Sequence, residues 1–267
     1  MKGNVLKKFL CTCLVTAAAF AATTISASAC TTIYVGGDLV EEGTPFVART
    51  EDYGSDYNKL WFISESGKWK QGDHYVGCPE YGPFEWDFTH DSYRFTYFTN
   101  DIYYDGICPE CGEKADHYSY TEFGTNEKGV SVSATETLYG NKKVTEADPY
   151  RDAEWAEANK SERIGIEETD IPTIILAEAD SAKAGVDLLL NIYKDYGCVA
   201  ASGVFVCDKD EVWYVENCSG TQYVAIKLND NMIFLEPNMA VIGRVDLDDE
   251  NVIASKDLIA VAKKAGT

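Results

Sequence analysis

Beyond residue 29, apolar and polar positions fall into short blocks with two periods. Thr31 to Gly36 (TTIYVG) and Pro45 to Thr50 (PFVART) are rich in β-branched and aromatic residues, and Glu41-Glu42-Gly43 reads as a turn between them, so the pair predicts a hairpin. Lys59 to Ser64 (KLWFIS) predicts a third strand, and Val130-Ser131-Val132-Ser133-Ala134 alternates with period two behind the turn Asn126-Glu127-Lys128-Gly129. Between Asp180 and Tyr196 the period changes. Ala182, Val186, Leu189, Leu190 and Tyr193 recur at three- and four-residue steps, which predicts an amphipathic helix capped by Asp180 or Ser181 and ended by Gly197. Strand patterns return at 203–206, 211–216 and 222–228, separated by Asp208-Lys209-Asp210 and Cys218-Ser219-Gly220, with a further strand at 232–235.

This order of strands, helix and strands, joined by antiparallel connections, predicts one α+β domain. Residues 65–120 show no sustained period and are rich in Tyr, Gly and Asp, so they read as an insertion or long loop whose aromatics line a pocket. Residues 148–170, with Glu154, Glu157, Glu162, Glu167, Glu168 and Asp170, read as a solvated helix or connector. A last helix over 255–264 ends at Ala265-Gly266-Thr267 without a polar tail, which leads us to expect a chain truncated at its C-terminus.

Composition narrows the function classes. Of 267 residues, 45% are apolar and 12% aromatic, enough for a buried core, and the net charge is −21. Beyond residue 29, 20 basic side chains face 44 acidic ones with no basic cluster, which excludes phosphate backbones and anionic membrane surfaces as partners. Residues 1–29 differ from the rest. Lys2, Lys7 and Lys8 precede an apolar run from Phe9 to Ala22, and Ala27-Ser28-Ala29 closes it in the small-x-small pattern of a cleaved signal peptide. The expected mature protein is secreted or at the cell surface, is not inserted in the membrane, and begins at Cys30.

A cysteine at that position has three readings. It could be a lipid-anchor site, although Ala27 stands where a lipoprotein signal carries a Leu-like residue. It could be half of a disulfide, and the seven cysteines left after removal of Cys11 and Cys13 would then leave one thiol unpaired. Or it could be an N-terminal nucleophile: its α-amine, with a reference pKa of about 7.7–8.0, can accept the thiol proton without a histidine. The Cys-His alternative has only His74, His90 and His117 to draw on, all within one aromatic stretch.

Other candidates surround this one. Arg49-Thr50-Glu51-Asp52 closes the second strand, where a hairpin returns the chain to Cys30; Arg49 there would favour a thiolate and Asp52 would orient the amine, unless the pair is an ordinary strand-end ion pair. Asn217 could offer an amide to an oxyanion or simply begin a turn. Cys108-Pro109-Glu110-Cys111 with Cys78 and one histidine could supply four zinc ligands, but in an exported protein disulfides are the simpler account. No phosphate loop, HExxH or GxSxG motif is present, and no cofactor is expected.

Taken together and in order, Cys30-Thr31-Thr32-Ile33, Ala48-Arg49-Thr50-Glu51-Asp52, Asn126-Glu127-Lys128-Gly129-Val130, Ser133-Ala134-Thr135-Glu136-Thr137 and Glu211-Val212-Trp213-Tyr214-Val215-Glu216 resemble the peptidase D-type dipeptidases. These are cysteine N-terminal-nucleophile (Ntn) hydrolases, related more distantly to penicillin V acylases and bile salt hydrolases. The resemblance implies a four-layer α-β-β-α sandwich with two antiparallel sheets. It implies Cys30 as nucleophile and base, Arg49 and Asp52 as the Arg-x-x-Asp pair beside it, and Asn217 near the acylases' oxyanion Asn. Glu136 falls near their other oxyanion Asn, where an ionised carboxylate would instead bind a substrate ammonium. The chain departs from the family in stopping early and in its Cys78/Cys108/Cys111 segment. The leading expectation is an exported cysteine dipeptidase acting on a dipeptide or small amide. A linear-amide acylase, a lipid-anchored surface binding protein and a non-catalytic fragment are the alternatives, and a homo-oligomer stays open.

Overall fold

The predicted hairpin forms as β1 (Thr31–Val35) and β2 (Phe46–Thr50), paired antiparallel from Thr31 opposite Thr50 to Val35 opposite Phe46. The computed structural model describes residues 30–51, 59–77, 83–100 and 121–267, with the backbone alone at 100, 136 and 137. Strands β3 (Lys59–Ser64), β4 (His74–Val76), β5 (Glu85–Asp87), β6 (Phe95–Asn100), β7 (Phe123–Asn126) and β8 (Ser131–Leu138) follow. Helices α1 (Lys142–Ala147), α2 (Ala153–Asn159), α3 (Ile171–Glu178) and α4 (Ala182–Asp195) come next. The chain then returns to strands β9 (Ala201–Cys207), β10 (Val212–Asn217), β11 (Tyr223–Lys227), β12 (Ile233–Glu236) and β13 (Val252–Ala254), and closes with α5 (Leu258–Ala265).

Two antiparallel sheets result, giving the α+β sandwich. The larger runs β13-β11-β10-β9-β8-β7-β6-β3 and the smaller β12-β1-β2, with β4-β5 as a separate hairpin. Strands β9 and β10 are apolar on both faces because both faces are covered. Val204, Val206, Trp213 and Val215 join the core beneath α3 and α4, whereas Phe205, Val212 and Tyr214 meet Tyr34 of β1 and Phe234 of β12 on the other side. Among the described residues nothing covers the outer face of the small sheet: Phe46, Ile233 and Leu235 are 48%, 60% and 50% exposed. Among the described residues, the helices packed on a sheet flank the large one.

Helix α4 follows its apolar stripe and starts where capping predicts, with the Ser181 hydroxyl accepting from Ala184 N at 3.3 Å. Ser181→Ala should therefore lower stability by about 1 kcal/mol, read as a lower urea midpoint at unchanged slope. Gly185, in the interior of this helix, gives up about 1 kcal/mol of helix propensity relative to alanine. It is there because a Cβ would lie 2.8 Å from Ile175 Cγ2, so only glycine lets α3 and α4 approach this closely.

Two expectations need correcting. Residues 95–100 are not loop but β6, an interior strand between β3 and β7, with Phe95 buried in the main core. The 148–170 segment holds α2, as a solvated helix should, yet Asp148, Glu167 and Asp170 are buried. Asp148 accepts from Ser219 Oγ, Thr221 N and Arg151, contacts that outweigh burial and hold its carboxyl below the usual range. Strand β12, which follows the β9–β11 meander in sequence, leaves the large sheet and pairs with β1.

Candidate active site

The β1–β2 register builds the site. Thr32 lies opposite Arg49 and Thr31 opposite Thr50, and one step further sets Cys30 opposite Glu51. Residues two apart share a strand face, so Arg49 and Glu51 both turn toward the large sheet, as does the buried Thr32. The Arg49 guanidinium is held from both sides. Its Nη1 donates to Ala134 O at 2.6 Å, Glu122 O at 3.1 Å and Ser133 Oγ at 3.2 Å, all on or beside β7 and β8. Its Nη2 lies 3.5 Å from Cys30 Sγ. Burial works against the charge, but Glu168, Cys30 and Glu122 outweigh it and strengthen the cation. A fixed cation at a thiol favours the thiolate.

The polar row continues across the small sheet. Glu236, opposite Thr32 on β12, is fully buried and accepts from Thr135 Oγ1 at 3.0 Å. Burial raises its carboxyl to about 7 although Thr135 and Arg49 favour the charge. Between Thr135 and Leu138, β8 carries one residue more than β9 opposite, so Glu136 sits in a bulge, a device that re-aims side chains. The Glu136 side chain and Asp52 lie outside the described residues.

The other described cysteines contrast with Cys30. Cys198, Cys207 and Cys218 form no disulfide among the described residues, and burial pushes their thiols up to about 12, 11 and 12. None is a candidate nucleophile near neutral pH. Cys78, Cys108, Cys111 and His117 lie outside the described residues, and among those described no cluster of His, Cys, Asp or Glu is arranged to hold a metal. His74 pairs with Asp87 and Glu85, and His90 with the carbonyls of Asp91 and Glu178.

A family model described as peptidase family C69 matches residues 29–267. The chain belongs to this family. It is 34% identical over 238 residues to a probable dipeptidase B of Streptococcus pyogenes serotype M3, covering 89% of this chain and 43% of that protein. It is 31% identical over 243 residues to a probable dipeptidase of Salmonella dublin, covering 89% and 49%. The chain thus spans less than half the length of these curated relatives. A solved penicillin V acylase from Agrobacterium tumefaciens aligns at 14% identity with a TM-score of 0.40, covering 78% of this chain and 49% of that one.

In this C69 chain Asn217 is already engaged. Its Nδ2 donates to Ala200 O at 2.6 Å and to Cys198 Sγ at 2.7 Å, and its Oδ1 accepts from Ser202 N. Both amide hydrogens are used, tying β10 to the entry of β9; donation to an oxyanion would require one to be released. The sequence reading also missed residues. Lys59 and Glu122 join Glu51 in an ion-paired group beside Arg49. Alternation marked Glu51, two residues past Arg49, as sharing its face; Lys59 lies on β3 and Glu122 just before β7, strands whose place in the sheet no local signal reveals.

Proposed function

We propose that this protein hydrolyses dipeptides through the thiolate of Cys30, as an exported enzyme, secreted or at the cell surface once residues 1–29 are removed. The observation that carries the reading is the Arg49 guanidinium, anchored by three acceptors and set against Cys30 Sγ. Two facts support it. The family match begins at residue 29, directly before Cys30, and the named relatives are dipeptidases.

In the proposed reaction the α-amine of Cys30 takes the thiol proton and the sulfur attacks the peptide carbonyl. The resulting ammonium returns the proton to the leaving amine as the C–N bond breaks, which leaves a thioester. The amine then takes a proton from water, hydroxide attacks the thioester, and the acid leaves as the thiol is restored. Asp52 orients the amine in this scheme, and Glu136 receives the ammonium that distinguishes a dipeptide from an N-acylated amide.

The test is a substrate panel, using protein that begins at Cys30. Free amino acids should be released from dipeptides at least about tenfold faster than from N-acyl amino acids or linear amides, the selectivity expected where a site pairs with a charged group. Release from the acyl compounds alone would instead select an acylase. A diacylglycerol mass on Cys30 would select the anchored binding protein, since a blocked amine cannot act as base.

A further inference from the structure

Glu51, Lys59 and Glu122 form a cluster that the chemistry above does not use. Lys59 reaches in from β3, at the edge of the large sheet, and ion-pairs with both carboxyl groups, at 2.5 Å to Glu122 Oε1. The second oxygen of each, Glu51 Oε2 and Glu122 Oε2, is buried with no donor among the described residues. Yet the two carboxyl groups are hydrogen-bonding neighbours. Two ionised carboxylates cannot bond to one another, and a proton between them supplies the missing donor.

Glu122 is the more enclosed partner, its side chain 2% exposed against 16% for Glu51. Burial, reinforced by Glu51, pushes Glu122 up to about 8 against the pull of Lys59. Burial pushes Glu51 up as well, but its bonds with Glu122 and Lys59 outweigh that and hold it low. Near neutral pH the group is therefore Glu51 anionic, Lys59 cationic and Glu122 protonated, with no net charge.

The cluster is joined to the thiol through Arg49. Glu122 gives its carbonyl to Arg49 Nη1, and Arg49 Nη2 faces Cys30 Sγ. The charged groups around this point are Cys30 beside β1, Arg49 and Glu51 of and beside β2, Lys59 of β3, Glu122 before β7, Glu168 before α3, and Glu236 of β12. Losing the shared proton would leave one more negative charge next to the cation that supports the thiolate.

We propose that Glu51, Lys59 and Glu122 are positioning residues that hold one proton behind Arg49, and that release of this proton sets the alkaline limit of Cys30 function. The inference rests on the reading of Cys30 as a thiolate nucleophile. Coupling of this kind is reciprocal, so the thiolate also holds the proton in place.

The decisive experiment is a carboxyl titration by 13C NMR of protein labelled at glutamate, which needs no substrate. Wild type should show, above Glu236 near pH 7, a second carboxyl titrating near pH 8 that is absent in Glu122→Gln. It should move down by about one unit or more in Glu51→Gln, which keeps Lys59 but removes the second carboxylate, and by about one unit in Cys30→Ser, which removes the thiolate charge. No Glu122-dependent carboxyl titrating above pH 7 in wild type, or the same Glu122 titration in wild type and Cys30→Ser, overturns the proposal. In turnover, kcat/KM for a dipeptide should fall about tenfold from pH 7 to pH 9 in wild type and less than about twofold in Glu122→Gln. Equal falls in both overturn the link to function. If no dipeptide is cleaved by any form, the dipeptidase reading fails on its own, and the carboxyl titration alone decides this one.

Discussion

Cys30→Ser is expected to lower kcat/KM for dipeptide hydrolysis by at least about a thousandfold, with an unchanged urea midpoint, as for loss of a nucleophile from a group that acts as a unit. The substitution alters one atom of a half-buried residue just before β1 that belongs to neither core cluster of the described residues, so the fold has little reason to respond. The chemistry changes far more. An α-amine of pKa about 8 can deprotonate a thiol of about 8.5, but it is a much poorer match for a hydroxyl, and Arg49 would then face a neutral oxygen. The control is Cys207→Ser, whose thiol is pushed up to about 11 by burial and whose loss should leave turnover intact. If Cys30→Ser keeps more than a tenth of wild-type activity, the nucleophile lies elsewhere.

Arg49→Lys should follow, with a loss of about a hundredfold in kcat/KM and about 2–3 kcal/mol in stability. Charge is kept, yet a single ammonium cannot reproduce a planar fork that bonds Ala134 O, Glu122 O and Ser133 Oγ with one nitrogen while presenting another to Cys30 Sγ. Acceptors left without a donor account for the stability change. The thiolate absorbance at neutral pH should drop in parallel with activity, which separates lost support of the thiol from general loosening. Full activity in Arg49→Lys would mean that charge alone, not the fork, matters.

Local signals carried part of this architecture and none of the rest. The β1–β2 hairpin was legible because β-branched residues flank a turn, and that hairpin by itself places Arg49 near Cys30. Helix α4 was legible from its one-sided apolar stripe. Helix α3 was not, since Ile171 to Ala177 is buried on every side and leaves no period to detect. Strand β6 was lost among aromatics that resemble loop composition, although Phe95 and Tyr97 alternate with Thr96 and pair with β3 and β7. The Glu51–Lys59–Glu122 group draws on three segments brought together by sheet order, and a single sequence does not encode that order locally. The engagement of Asn217 with Cys198 and Ala200 is equally a matter of which strands become neighbours.

The exposed face bearing Phe46, Ile233 and Leu235 also bears on how the chain behaves in a test tube. A net charge of −21 makes molecules repel one another over about a Debye length, roughly 10 Å at 0.1 M salt and about 3 Å at 1 M. Adhesion between apolar patches acts at contact and is not weakened by salt. Colloidal behaviour is thus a contest between a long-range repulsion that electrolyte removes and a short-range attraction that it spares. Dilute buffers of low ionic strength favour dispersed molecules, and the salting steps common in purification favour clustering through apolar surface of this kind.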